Sequence, residues 1–122
     1  MNLDLIRGQA MKKLYQLRQV KKVVTSILEQ DKKARNDDKY LYVQVIKRFE
    51  KLLGLDALDY PLEMFLTDSM FKDFPCFETV RRSRQRVQEQ RPDLASDKRI
   101  EQLRREQEQD YRAFAKENLG GN

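Results

Sequence analysis

The chain has 122 residues, 25 of them Lys or Arg and 20 Asp or Glu, with no histidine and one cysteine, Cys76. That length gives one domain with one modest core, and 37% charged residues beside four Gly and three Pro favours long solvated helices over sandwiches or barrels. The missing histidine excludes a Ser-His-Asp triad, a Cys-His dyad and a histidine zinc site, and the single cysteine excludes a disulfide within the chain.

The elements predict an all-α fold in a single domain, 1–122. Between Leu3 and Leu28 there is no Pro and one Gly, Gly8. Leu3, Ile6, Ala10, Leu17, Val20, Val24 and Ile27 fall on alternating three- and four-residue steps, interrupted by Lys13 and widened by Leu14 and Leu28. A long amphipathic helix over 1–30 is expected. Its stretch from Leu3 to Leu28 would span about 39 Å, more than one small core covers, so part of its stripe must pack on the C-terminal helix or meet a second protomer as a homodimer.

Residues 31–38 read as a polar break with cap residues at its end. Leu41, Tyr42, Val45, Ile46, Phe49, Leu52 and Leu53 then keep a helical period until Gly54 stops it. Pro61 suits the first turn of a short helix holding Leu62, Phe65 and Leu66. A further helix is expected from Phe77 to Gln90, ended by Arg91-Pro92. Residues 37–91 thus form a helix-turn-helix-like three-helix unit. Ser96 is the expected N-cap of a last helix, 96–118, with Ile100, Leu103, Tyr111 and Phe114 as a sparse apolar face.

The charge is unevenly placed. Residues 1–36 carry nine Lys or Arg against three Asp or Glu, and 77–92 carry five against two. Residues 37–76 are acidic, five against eight, and 93–122 are nearly balanced, six against seven. Such asymmetry points to a polyanionic partner, although a solvated helical surface carries the same charges.

The segment Phe77-Glu78-Thr79-Val80-Arg81-Arg82-Ser83-Arg84-Gln85-Arg86-Val87 is the most informative. At 100° per residue, Phe77, Val80 and Val87 share one apolar edge with Arg84 between them. Glu78, Arg82, Gln85, Arg86 and Glu89 form the opposite face. Arg and Gln reach base edges with two donors or a donor and an acceptor, and Arg also neutralises phosphate. A helix with Thr near its start and Arg and Gln outward is built like a recognition helix. Thr79, Arg81, Arg82, Arg84, Gln85 and Arg86 are therefore the candidate nucleic-acid-binding residues. Arg82, Gln85 and Arg86 would face the major groove, with Arg81, Arg84 and the basic N-terminal helix on phosphates. An i,i+4 pair, Glu78 with Arg82, also suits a salt-bridged solvent face.

Catalysis is not expected. Asp56 with Asp59, or Asp37 with Asp38, is no more than a pair of carboxylates. Asp93, Asp97 and Lys98 lack the strand alternation of a nuclease site, and Asp97 reads as a carboxylate favoured by a helix dipole. No cofactor or metal is expected. Cys76 precedes a helix, where a thiol pKa falls, but a packing or capping role fits it first. No apolar run approaches the ~18 residues of a membrane span, and no hydrophobic signal region follows Met1. A soluble protein of the cytoplasm, with no membrane partner, is expected.

The order Arg35-Asn36-Asp37-Asp38 with Leu41-Tyr42, then Phe74-Pro75-Cys76-Phe77-Glu78-Thr79-Val80-Arg81-Arg82-Ser83-Arg84, resembles a group of small proteins encoded by phages and prophages of Gram-positive bacteria. The resemblance covers roughly residues 20–118 and implies a helix-turn-helix-like protein in a bacterial host. That group usually has Ser before its Phe-Glu-Thr run; Cys76 stands there in this chain and loses the better cap oxygen. The expected function is a small phage-type, regulatory protein binding double-stranded DNA. An inhibitor of a host defence protein or nucleoprotein, of the anti-CRISPR kind, remains the alternative, since small size, high charge and a long amphipathic helix suit both.

Overall fold

The computed structural model describes the backbone of residues 3–119 and the side chains of residues 16–117. The fold is all-α. Among the described residues there are six helices and no strand: α1 (Leu3–Gln30), α2 (Lys32–Asn36), α3 (Asp38–Leu53), α4 (Leu62–Thr67), α5 (Phe77–Gln90) and α6 (Lys98–Leu119). Short 3-10 turns occupy Ser69–Phe71 and Pro92–Leu94.

The second half of the α1 stripe enters the core. Val20, Val24, Ile27 and Leu28 are buried with Leu41, Val45, Ile46 and Phe49 of α3 and Val80 and Val87 of α5. Each such side chain contributes about 1.5–3 kcal/mol by leaving water. The main partners of α1 are α5 and α3. From Val20 onward the stripe therefore packs on α3 and on the Val80–Val87 edge of α5. Leu3, Ile6, Ala10 and Leu14 lie outside the described side chains, as does Lys13.

The expected polar break is itself helical. Asp31 accepts from the Lys33 amide at 3.0 Å and so starts α2, whose Ala34 is fully buried. Asp37 then caps α3 by accepting from the Lys39 and Tyr40 amides at 3.0 and 3.1 Å. The joint is pinned by the Tyr40 hydroxyl, which donates to Asp31 at 2.5 Å, while Lys33 lies 4.5 Å above the Tyr40 ring. At the far end of α3, Gly54 takes φ 68°, the left-handed region, and its amide reaches Glu50 O at 2.8 Å.

Residues 55–76 are held by rings as well as by helix. Phe71 and Phe74 are buried, 5.8 Å apart; Phe65 of α4 packs on both, and Phe74 lies 6.5 Å from Phe49 of α3. Helices α3, α4 and α5 follow in the expected order, and 68–76 with its 3-10 turn separates α4 from α5. The mates of α5 are α1 and α3. It therefore sits in a bundle with them.

The start of α6 departs from expectation by one position. Ser96 is buried, and Asp97 precedes the first helical residue, its carbonyl accepting from the Glu101 amide at 2.9 Å. The Asp97 amide is met by Asn36 Oδ1 at 2.8 Å, and Asn36 Nδ2 donates back to the Asp97 carboxylate at 3.2 Å. A side chain from α2 thus caps α6.

Candidate nucleic-acid interface

Helix α5 is divided between an inner and an outer face. Val80, Arg84 and Val87 are buried, whereas Glu78, Arg82, Gln85, Arg86 and Glu89 are exposed. The apolar edge is shorter than its sequence suggests: Phe77 is 38% exposed and stands edge-on to Tyr42, with ring centroids 5.6 Å apart.

Arg84 corrects the expectation that it meets phosphate. Its guanidinium forks onto Asp38, Nε to Oδ1 at 2.8 Å and Nη2 to Oδ2 at 3.0 Å, and its side chain is 8% exposed. The reason is its place between Val80 and Val87, which turns it inward, where a desolvated cation requires a carboxylate. Arg104 of α6 approaches the same carboxylate at 3.6 Å and donates to Arg35 O at 3.2 Å. Burial foremost, then the Arg84 charge, pulls the Arg104 pKa below its ordinary value. Gln88 completes the ring. It accepts from Arg84 at 3.2 Å and donates to the carbonyls of Arg35 and Leu94 at 3.2 and 3.0 Å. Asp38, Gln88 and Arg104 were not among the candidates, because no spacing in the sequence brings them together.

The remaining candidates separate by their partners. Thr79 is half-buried, its hydroxyl 3.1 Å from Cys76 Sγ. That contact, ahead of nearby amides, lowers the thiol pKa. Cys76 occupies the N-cap position of α5 without a side-chain cap bond. Beneath it, the Tyr42 hydroxyl donates to Pro75 O at 3.0 Å and is pushed up to about 12 by burial. Arg81 binds Glu78 twice, at 2.6 and 2.9 Å, and Arg82 binds it once, at 3.0 Å. The two guanidiniums, Arg81 foremost, lower the Glu78 carboxyl to about 2. Arg82 stays open, its side chain 69% exposed. Gln85 and Arg86 are exposed, and Arg86 makes no ion pair among the described residues.

Helix α6 returns alongside α5, leaving an open cleft of about 850 Å³ between them. Arg81, Gln85 and Glu89 line one wall, and Arg105, Glu108 and Arg112 the other. Arg105 and Arg112 went unremarked in the sequence, although Lys98, Arg105 and Arg112 recur every seven residues. The second exposed basic group lies on α1, at Arg18, Lys21 and Lys22. No helix among the described residues is long and apolar enough to cross a membrane. Comparison of the chain with protein-family models, with curated proteins and with solved structures gives no match.

Proposed function

We propose that this chain is a small phage-type regulatory protein that binds duplex DNA through the outer face of α5. One observation carries the reading: Arg82, Gln85 and Arg86 share a solvent-facing surface on a helix whose other face is locked into the core. A rigid helix that presents two guanidiniums and an amide suits base edges and phosphates together. Arg18, Lys21 and Lys22 on α1 would add phosphate contacts. Resemblance to small phage and prophage proteins supports the same reading.

The test is a mobility shift with random duplex at two salt concentrations, for wild type and for the double variant Arg82→Ala/Arg86→Ala. Wild type should bind with a steep salt dependence. The variant should lose affinity, and its salt slope should fall by about one unit for each phosphate contact removed. If the two arginines read bases, the slope holds and sequence discrimination falls by about 1–3 kcal/mol per bidentate contact. Wild type without duplex affinity at low salt would reject the proposal. An inhibitor acting on a host defence protein would then take its place, a reading favoured by the exposed leucines of α4.

A further inference from the structure

The surface from the end of α3 through α4 differs from the rest of the molecule. Leu52, Leu58, Leu62 and Leu66 are 62, 45, 70 and 70% exposed. Leu62 and Leu66 are one turn apart and share a face of α4. Between Lys51 and Lys72 there is no Lys or Arg, while Asp56, Asp59, Glu63 and Asp68 supply four negative charges. An exposed apolar surface ringed by one sign of charge is the form of a protein-docking site, and its charge repels nucleic acid. Its floor is firm, since Phe65 packs on the buried Phe71 and Phe74.

The chain itself contains the complement. By sequence, the first half of α1 carries apolar residues at heptad positions, Leu3, Ile6, Ala10 and Leu17, beside Arg7, Lys12 and Lys13, with Asp4 its one acid before Glu29. Among the described side chains of α1, Val20, Val24, Ile27 and Leu28 enter the core, while Leu17 is 44% exposed. We infer that the acidic, leucine-rich surface of α4 is seated by the basic first half of α1 from a second copy of this chain. Helix-on-helix contact buries the leucines, and Lys and Arg of one copy face Asp and Glu of the other. If each copy gives its α1 to the other, the two contacts are related by a two-fold axis and the assembly closes as a dimer.

The experiment is sedimentation equilibrium of the full chain without nucleic acid, at about 0.05 M and about 0.5 M salt. Wild type should dimerise, more weakly at high salt. Leu62→Asp/Leu66→Asp should raise the dimer dissociation constant at least about tenfold while helicity is unchanged. Asp59→Lys/Glu63→Lys, which leaves the leucines in place, should also weaken the dimer. So should Lys12→Glu/Lys13→Glu, and combining the two charge reversals should restore association. A wild type monomeric at every concentration overturns the inference. So does a dimer indifferent to both α4 variants, which would place the interface elsewhere. A dimer that responds to α4 but not to the Lys12 and Lys13 reversal overturns α1 as the occupant. These readouts do not depend on DNA binding, so the proposal on α5 stands or falls separately.

Discussion

Arg84 and Arg86 are two residues apart on one helix and have opposite fates. Arg84 is forked onto Asp38 inside the bundle, while Arg86 stands in solvent without an ion pair among the described residues. Residue type does not separate them; angular position does. At 100° per residue the two point about 200° apart, so one lies between Val80 and Val87 and the other beside Arg82. An arginine-rich segment is thus two populations, one that builds the molecule and one free to meet a partner. A basic cluster should be divided by face before any of it is assigned to nucleic acid.

Breaking the inner population should cost most. Arg84→Ala leaves Asp38 with Arg104 at 3.6 Å as its remaining ion-pair partner and should lower stability by about 3–5 kcal/mol, read from the midpoint of a urea denaturation. If the variant unfolds at the wild-type midpoint, the inner face is not structural and the comparison fails. Gln88→Ala should cost less, about 1–3 kcal/mol, because it strands the Leu94 carbonyl and leaves the Arg35 carbonyl with Arg104 as its donor. The outer face is probed by pH. Glu78 has its carboxyl lowered from 4.5 to about 2, so the charged form is favoured in the folded state. Its contribution is complete above pH 4.5 and disappears as pH falls through 2. A carbon-detected titration of the Glu78 carboxyl should show that low midpoint, and Arg81→Ala should move it upward. The smallest change in stability belongs to Arg82→Ala/Arg86→Ala, under about 0.5 kcal/mol for each residue, with its large effect reserved for duplex affinity.

Long helices were readable from the sequence because their apolar residues repeat. The predicted bounds of the fourth helix, Phe77–Gln90, are those of α5, and Gly54 ends α3 as expected. Helix α2 was not legible: it is five residues long and its only buried side chain is Ala34, too little for a period. The inward turn of Arg84 was visible on the helical wheel, yet its partner Asp38 lies 46 residues away. Likewise Asn36 caps α6 across 61 residues, a pairing that emerges only when α2 folds. The cleft between α5 and α6 needed the tertiary structure, since nothing in the chain's order shows that Arg105 and Arg112 return opposite Arg81 and Gln85.

The way α6 is fastened has a thermodynamic consequence. Its root is held by Asn36 to Asp97 and by Arg104 to Asp38 and the Arg35 carbonyl, and its described side chains from Arg105 to Phe114 are exposed. Undocking such a helix wets guanidinium, amide and carboxylate far more than hydrocarbon. Apolar wetting raises heat capacity and polar wetting lowers it, so this opening changes heat capacity little and towards lower values. Its equilibrium therefore moves with ionic strength more than with temperature, whereas the α1–α3–α5 bundle beneath it, closed by valine, leucine and isoleucine, has the steep thermal curvature of a hydrophobic core. Salt and heat should take this molecule apart from different ends.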